Sequence, residues 1–217
     1  MEIYSAKYSD KNGEEATTIR NDGNTWRMNV RNVEFVGGDF DGFEPEKDTD
    51  FSKLETFIFA GTDLCECKIE YEMPIEVIAD GKIEIANLSV HIELGKPDKF
   101  NGIERSDVLL ILSYDEKFFR SKGNSEWFED ELLDIQRQLP ANHKLKCCFG
   151  CAFSDYSVYG HGFFGSMMCY RNIKDDYKKV FDKSAFMEIM ENHAGWVQET
   201  YLCEEFEIRK SGAGYRG

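Results

Sequence analysis

The chain has 217 residues, of which 41% are hydrophobic and 14% aromatic, and this is enough apolar material for one large domain with its own core. Its formal net charge is −15, with a pI near 4.7. Such an acidic surface repels nucleic acid and anionic membranes, so we expect neither as a partner, whereas a basic protein is compatible. The sequence has no apolar run near the ~20 residues that cross a bilayer and no signal-peptide pattern at its start, which predicts a cytoplasmic protein.

Alternation of apolar and polar residues predicts β strands in the first half of the chain. Trp26, Met28 and Val30 share one face of an early strand. The clearest strand covers residues 65–77, where charged residues separate the apolar ones, as in an antiparallel sheet with one buried face. The apolar set is Cys65, Cys67, Ile69, Tyr71, Met73, Ile75 and Val77. Because Pro74 has no N–H for the ladder, we expect a sheet edge or a bulge there.

The next predicted strand, residues 82–94, changes its alternation once. Ile83 and Ile85 are odd-numbered, whereas the later apolar residues are even-numbered. A one-residue β-bulge near Ala86 and Asn87 would turn both sets toward the core. The sequence therefore predicts a bulge at this place.

An unbroken apolar run at residues 107–113 is typical of a central strand buried on both faces. Two helices follow it. Apolar residues at helical spacing predict the first within residues 125–139, with Ser125 as its N-cap. The same pattern predicts the second within residues 182–195, with Asp182 as its N-cap.

These elements together predict an α+β fold. Residues 1–115 form an antiparallel β-sandwich or a strongly curved sheet, which packs against the two helices. Residues 116–217 form a helical and cysteine-rich lobe, in which an irregular cysteine-rich loop joins the helices. Residues 196–208 have the pattern of a final strand that returns to the sheet region. We expect both regions to belong to one compact domain.

Seven cysteines in a chain without a signal peptide predict reduced thiols rather than disulfides. Cys148 and Cys151 are two residues apart, a spacing that lets two thiolates hold one Zn²⁺ from a tight turn. Cys169 and Cys203 complete a C-x2-C-x17-C-x33-C set, and His161 is a reserve ligand. The sequence therefore offers the ligands of a structural zinc site.

Two other interpretations of these cysteines stay open on spacing alone. Reduced thiols packed in a core fit the spacing slightly better than a metal site does. A cysteine nucleophile with His161 or His143 as its base is the other. A zinc-deaminase signature is rejected, because His91 lies in a strand pattern and no proline precedes the C-x2-C pair.

The last third of the chain resembles an uncharacterised bacterial family, a domain of unknown function. The resemblance rests on "CFGCAFSDYSVYGHGFFGSMMCYR" and on "ETYLCEEFEIRKSGAGYRG", and it extends only loosely into the β-rich half. The family pattern falls on Cys148, Cys151, Cys169 and Cys203, so the resemblance favours the same four zinc ligands. Val158 departs from the pattern, since a proline is usual there. The resemblance implies a bacterial protein and brings no activity, substrate or partner.

The acidic segment from Gly37 to Asp50 predicts a long surface loop. Phe40 and Phe43 lie among its carboxylates, which include Asp41 and Glu44. Exposed aromatic anchors combined with steering charge are features of protein interfaces, so a basic partner, such as a toxin, is one hypothesis for this loop. The alternative is a solvated loop whose phenylalanines turn back into the sheet.

The sequence favours a non-enzymatic protein of unknown cellular role with a zinc site formed by Cys148, Cys151, Cys169 and Cys203. An immunity-type protein that binds a basic partner through its acidic surface is the first alternative. A thiol- or metal-dependent enzyme is the second.

Overall fold

The computed structural model describes residues 1–210 and 214–215. A ten-stranded antiparallel sheet dominates it, in the order β11-β10-β9-β8-β1-β2-β3-β4-β5, with β12 paired to β8. Its strands are β1 (Glu2–Asp10), β2 (Gly13–Asn21), β3 (Trp26–Val30), β4 (Val33–Gly37), β5 (Glu44–Pro45), β8 (Cys67–Ala79), β9 (Lys82–Leu94), β10 (Ser106–Tyr114), β11 (Lys117–Arg120) and β12 (His143–Lys146). A separate hairpin joins β6 (Ile58–Ala60) and β7 (Asp63–Cys65).

The helices are short and few in the described part of the chain. They are α1 (Phe51–Leu54), α2 (Phe128–Gln138), α3 (Lys174–Tyr177) and α4 (Lys183–Ile189). A small second sheet in the order β13-β14-β15 lies in the C-terminal region, with β13 (Ser154–Asp155), β14 (Met167–Cys169) and β15 (Gly195–Val197). The α+β class is therefore confirmed, with one large sheet as its main element.

The large sheet curls toward its core face. Trp26 on β3 and Tyr71 on β8 are separated by β1 and β2, which in a flat sheet would place them about 14 Å apart. Their ring centroids are only 5.6 Å apart. Phe164 from the C-terminal region packs into the same cluster, 5.6 Å from Trp26 and 4.6 Å from Phe128 of α2. The core thus joins the curled sheet, α2 and the region that carries the cysteines.

Strand β8 confirms the alternation predicted for it. Its odd-numbered residues from Cys67 to Ala79 are buried and face the core. Pro74 is opposite Asn87 of β9 in an unbroken register. On the other edge, β1 pairs with β8 only as far as Tyr71 and β12 begins at Glu76, so Pro74 lies in a gap between them where no N–H is required.

The bulge predicted near Ala86 and Asn87 is wrong. Strands β8 and β9 pair in continuous register from Cys67–Leu94 to Ala79–Lys82. Without a bulge the change of alternation leaves Ile83 and Ile85 exposed on the outer face of the sheet.

The prediction of a central strand at residues 107–113 is also wrong. Strand β10 lies next to the sheet edge, between β9 and β11, and only alternate residues are fully buried. The outer face is half-covered, because the segment around Gly123 crosses Leu109. Coverage by a loop therefore explains the apolar run without a second layer of structure.

Helix α2 begins later than predicted, helix α4 begins at the predicted residue, and the predicted final strand is shorter than expected. The first begins at Phe128 rather than after Ser125, whose hydroxyl instead accepts from the Trp127 N–H and donates to Asp130. The second begins where predicted, with Asp182 accepting from the Ala185 N–H. Residues 196–208 form a strand only as far as Val197, and this strand pairs with β14 rather than with the large sheet.

Helix α2 is fixed to the segment that follows β11 by a buried carboxylate that the sequence did not reveal. Glu131 is 1% exposed and accepts from the backbone N–H groups of Gly123, Asn124 and Ser125 at 2.8, 3.1 and 3.0 Å. We expect Glu131→Ala to lower the free energy of unfolding by about 2–3 kcal/mol, because three backbone donors lose their partner. Urea unfolding measures this. The exposed Glu126→Ala is the control, and an equal loss in both variants would contradict the assigned role.

Candidate functional site

The four predicted zinc ligands come from separate segments of the C-terminal region. Cys148 begins a 3₁₀ turn that follows β12, and Cys151 comes directly after this turn. Cys169 ends β14. Cys203 lies in an irregular segment rather than in the predicted final strand. The first three are buried, and Cys203 is half-buried.

The other thiols act electrostatically on two of the four predicted ligands, Cys148 and Cys169. Burial raises the pKa of the Cys148 thiol, and charge on Cys151, Cys147, Cys169 and Cys203 raises it further. Burial likewise raises the pKa of the Cys169 thiol, and charge on Cys203 and Cys151 raises it further. Cys148 and Cys169 pack in one apolar cluster, whereas Cys151 packs in a second one.

Backbone N–H groups point at two of the sulfurs. The Phe153 N–H donates to Cys151 Sγ at 3.5 Å. The Arg171 N–H donates to the sulfur of Cys169. This hydrogen bond lowers the pKa of the Cys169 thiol, whereas burial raises it. In both cases the donor lies two residues after the cysteine, so the chain turns tightly around the sulfur. Hydrogen bonds of this kind favour the thiolate, which is the metal-binding form.

The Arg171 guanidinium supplies positive charge beside the thiols. Charge on Cys169 is the largest cause of the raised pKa of Arg171, and hydrogen bonds to Cys203 and Tyr201 contribute. Four thiolates around Zn²⁺ carry a net charge of about −2, which is costly to bury without a counter-charge. Arg171 is placed to provide part of that counter-charge.

Backbone hydrogen bonds tie the Cys148 turn to the segment that carries Cys203. The Cys148 N–H donates to the Tyr201 carbonyl at 2.7 Å, and the Phe149 N–H donates to the Glu199 carbonyl at 2.9 Å. On the other side of the turn, Arg209 N–H donates to the Gly150 carbonyl at 2.9 Å. The positions of Cys148 and Cys203 are therefore coupled through the main chain.

The side chains as they stand do not form a ready metal-binding group. Among residues 1–210 and 214–215, no three His, Cys, Asp or Glu side chains are arranged to hold an ion. The donor set nevertheless fits Zn²⁺ chemically: four soft sulfurs, two with N–H donors, beside one guanidinium.

His161, the reserve ligand, contacts aromatic rings and a carboxylate. Its ring centroid is 4.3 Å from that of Tyr156 and 4.6 Å from that of Trp127. Its Nδ1 is 3.0 Å from the Gly162 carbonyl, and its Nε2 is 3.8 Å from Glu129. These contacts occupy the imidazole, so the set of four cysteines does not depend on His161.

The predicted aromatic anchors of the acidic loop are not available to a partner. Phe40 and Phe43 are fully buried and pack in the main core, where Phe40 lies 4.8 Å from Trp26. Asp41 is half-buried, and burial raises its pKa. Glu44 is exposed and accepts from the Thr62 hydroxyl. The loop therefore presents carboxylates without exposed phenylalanines, so the interface predicted for Phe40, Asp41, Phe43 and Glu44 loses its apolar part.

Two carboxyl groups that the sequence analysis missed as a pair hold the glycine-rich loop. Asp39 Oδ2 accepts from the Phe164 N–H at 3.0 Å, and Glu199 Oε2 accepts from the Gly165 N–H at 2.7 Å. Tyr156 also donates its hydroxyl proton to Glu199, at 3.1 Å. Burial raises the pKa of Asp39 to about 8 and that of Glu199 to about 7. Their separation of 160 positions in the sequence hid this pair.

Close packing of this loop against its neighbours explains why it contains several glycines. A Cβ on Gly162 would lie 2.6 Å from Asp39 Oδ2, and a Cβ on Gly165, whose φ is +76°, would lie 2.8 Å from the Gly38 carbonyl oxygen. Only glycine permits these approaches. The loop is therefore built to lie against the sheet.

The fold and site define an α+β protein in which a large curled sheet carries a lobe lined with thiols. Residues 2–154 match a family of unknown function (DUF6304), and because this match covers more than half of the chain, the protein belongs to that family. The matched residues include Cys148 and Cys151 and end before Cys169 and Cys203, whereas the resemblance noted in the sequence lay mainly beyond residue 145. No curated protein and no solved structure matches the chain.

One further finding concerns membranes. In the described part of the chain, every helix is too short or too polar to cross a bilayer.

Proposed function

We propose that this protein is non-enzymatic and that one Zn²⁺ ion, bound by Cys148, Cys151, Cys169 and Cys203, holds its C-terminal lobe together. The observation that carries the proposal is the packing of Cys148 with Cys169 in one cluster, with Cys151 and Cys203 near enough for their charge to raise the pKa of both thiols. The lobe needs such a link, because β13, β14 and β15 have only two or three residues each. Zinc binding contributes directly to folding when the ligands come together only in the folded state.

The thiol environment supports a structural rather than a catalytic role. A cysteine nucleophile requires a lowered pKa or an adjacent base. Burial instead raises the pKa of Cys148, and His161 makes its contacts with Tyr156, Trp127 and Glu129. A metal ion would reverse the effect of burial, because a coordinated thiol is deprotonated.

The direct test is the metal content of protein purified without chelators. We expect about one equivalent of zinc per chain, because the set of four thiolates fills a tetrahedral site. Elemental analysis by mass spectrometry measures it, with the same protein refolded after EDTA treatment as the control. Less than about a tenth of an equivalent, with no uptake on addition of Zn²⁺, would contradict the proposal and favour simply buried thiols.

A further inference from the structure

The tip of the β8–β9 hairpin extends past the rest of the sheet. Strand β9 pairs with β8 as far as Lys82, but its pairing with β10 stops at Asn87. On the β8 side, β12 covers the hairpin from Glu76 to Ala79. Of the strands that the structure describes, none pairs with the outer edge of β9 from Lys82 to Ala86. The backbone groups on this edge are therefore free to accept another strand.

The side chains at this edge are unusual for a solvated strand. Ile83 and Ile85 are 56% and 65% exposed, and both lie on the outer face of the sheet. Lys82 and Glu84 lie on the opposite face, where Tyr114 donates its hydroxyl proton to Glu84 at 2.8 Å. An open edge beside exposed β-branched residues is the usual template for adding a strand.

The sequence of the edge is complementary to itself in one register. Consider two copies that pair antiparallel around a twofold axis perpendicular to the sheet. Their core faces lie on the same side of the joined sheet only if one residue pairs with its own copy at the axis. An axis at Lys82 opposes two lysines, and an axis at Glu84 opposes two glutamates. An axis at Ile85 would require pairing at residues 87 and 88, where β9 already pairs with β10. An axis at Ile83 opposes the two Ile83 side chains and pairs Lys82 with Glu84 twice, which is the favourable arrangement.

We propose that the open edge of β9 binds a second copy of this chain, with Ile83 on the twofold axis. The large sheet then continues from one protomer into its partner through residues 81–85. This contact buries the exposed isoleucines next to the axis and satisfies the free backbone groups. The proposed contact does not involve the cysteines, so evidence for or against the zinc site does not affect it.

Crosslinking tests the register. We expect Ile83→Cys to form a disulfide-linked dimer under mild oxidation, because residues paired on the axis have Cα atoms about 4.5–5.5 Å apart. Ile85→Cys is the matched control, since its two copies would be about 13 Å apart along the strands. A non-reducing gel measures both, with the wild-type chain reporting on the native thiols. Equal crosslinking of the two variants, or none of Ile83→Cys, would overturn the proposal.

Charge reversal tests the pairing by an independent route. Light scattering over a dilution series is expected to show the wild-type mass rising from 25.1 kDa toward twice that value. Lys82→Glu should abolish the rise by opposing glutamates, and Lys82→Glu combined with Glu84→Lys should restore it. A wild-type mass that stays at one chain at every concentration would refute the dimer, and a double variant that fails to recover would refute this register.

Discussion

Replacing Cys148 by serine is expected to abolish zinc binding and to unfold the C-terminal lobe while the large sheet stays folded. Structural zinc contributes on the order of 10 kcal/mol to the folding of small zinc-dependent domains, and a missing ligand removes much of this. The Cys148 turn also holds the segment from Glu199 to Tyr201 through its N–H groups. Hydrogen exchange should therefore show lost protection in residues 148–209 and retained protection in β8 and β9.

Cys147→Ser is the matched control for this prediction. Cys147 is the adjacent residue and is fully buried, but it packs in the main core with the sheet, whereas Cys148 packs with Tyr156, Met167 and Cys169. We expect Cys147→Ser to lower stability by the ordinary cost of a buried hydroxyl, about 1–3 kcal/mol, with its zinc retained. If both variants keep zinc, or if both lose it equally, Cys148 is not a specific ligand.

The carboxyl groups that hold the glycine-rich loop are expected to contribute less to stability as the pH rises from about 5 to about 7.5. Burial raises the pKa of Glu199 from 4.5 to about 7. The folded state therefore keeps a proton that the unfolded state releases above about pH 4.5, so the contribution of Glu199 to stability is greatest below that pH and declines until the pH passes about 7. For a side chain that is 1% exposed, this shift corresponds to on the order of 3 kcal/mol.

Glu199→Gln should flatten this pH dependence, because an amide does not titrate. The measurement is the free energy of unfolding of the wild type and of the variant at several pH values in that range. The difference between them cancels the opposite effect of zinc, whose thiolate ligands bind more weakly at low pH. Asp39→Asn should remove a second contribution to the pH dependence of stability, since the pKa of Asp39 is raised to about 8. An identical pH profile in the wild type and in Glu199→Gln would contradict the assigned role.

The sequence predicted the parts of the fold that depend on local patterns. The buried face of β8, the core residues of α2 and the Asp182 cap all follow from period and composition within a few residues. Errors arose where tertiary contacts decided the outcome. Ile83 and Ile85 lie on the outer face because β8 and β9 pair without a bulge. A crossing loop covers part of β10, which the apolar run alone did not reveal.

The sequence supplied the candidate ligands, which stay a prediction, but it did not reveal their surroundings. Spacing identified Cys148 and Cys151 as a pair, because ligands in one turn are close in sequence as well as in space. The roles of Arg171 and Glu199 depend on contacts between distant segments. A single charged residue shows no sequence pattern from which such a role can be predicted. The burial of Phe40 agrees with the alternative in which the phenylalanines of the acidic loop turn back into the sheet, where Phe40 contacts Trp26 and Phe164.

The central claim is that four thiolates bind one metal ion, and Co²⁺ substitution tests it most directly. Co²⁺ reports its ligands through visible absorption, where thiolate coordination gives charge-transfer bands and tetrahedral geometry gives intense d–d bands. We predict saturation at about one equivalent with a tetrahedral, sulfur-rich spectrum, displacement by Zn²⁺, and loss of one thiolate in Cys169→Ser and in Cys203→Ser. A featureless titration, or a spectrum unchanged in both variants, would contradict the claim.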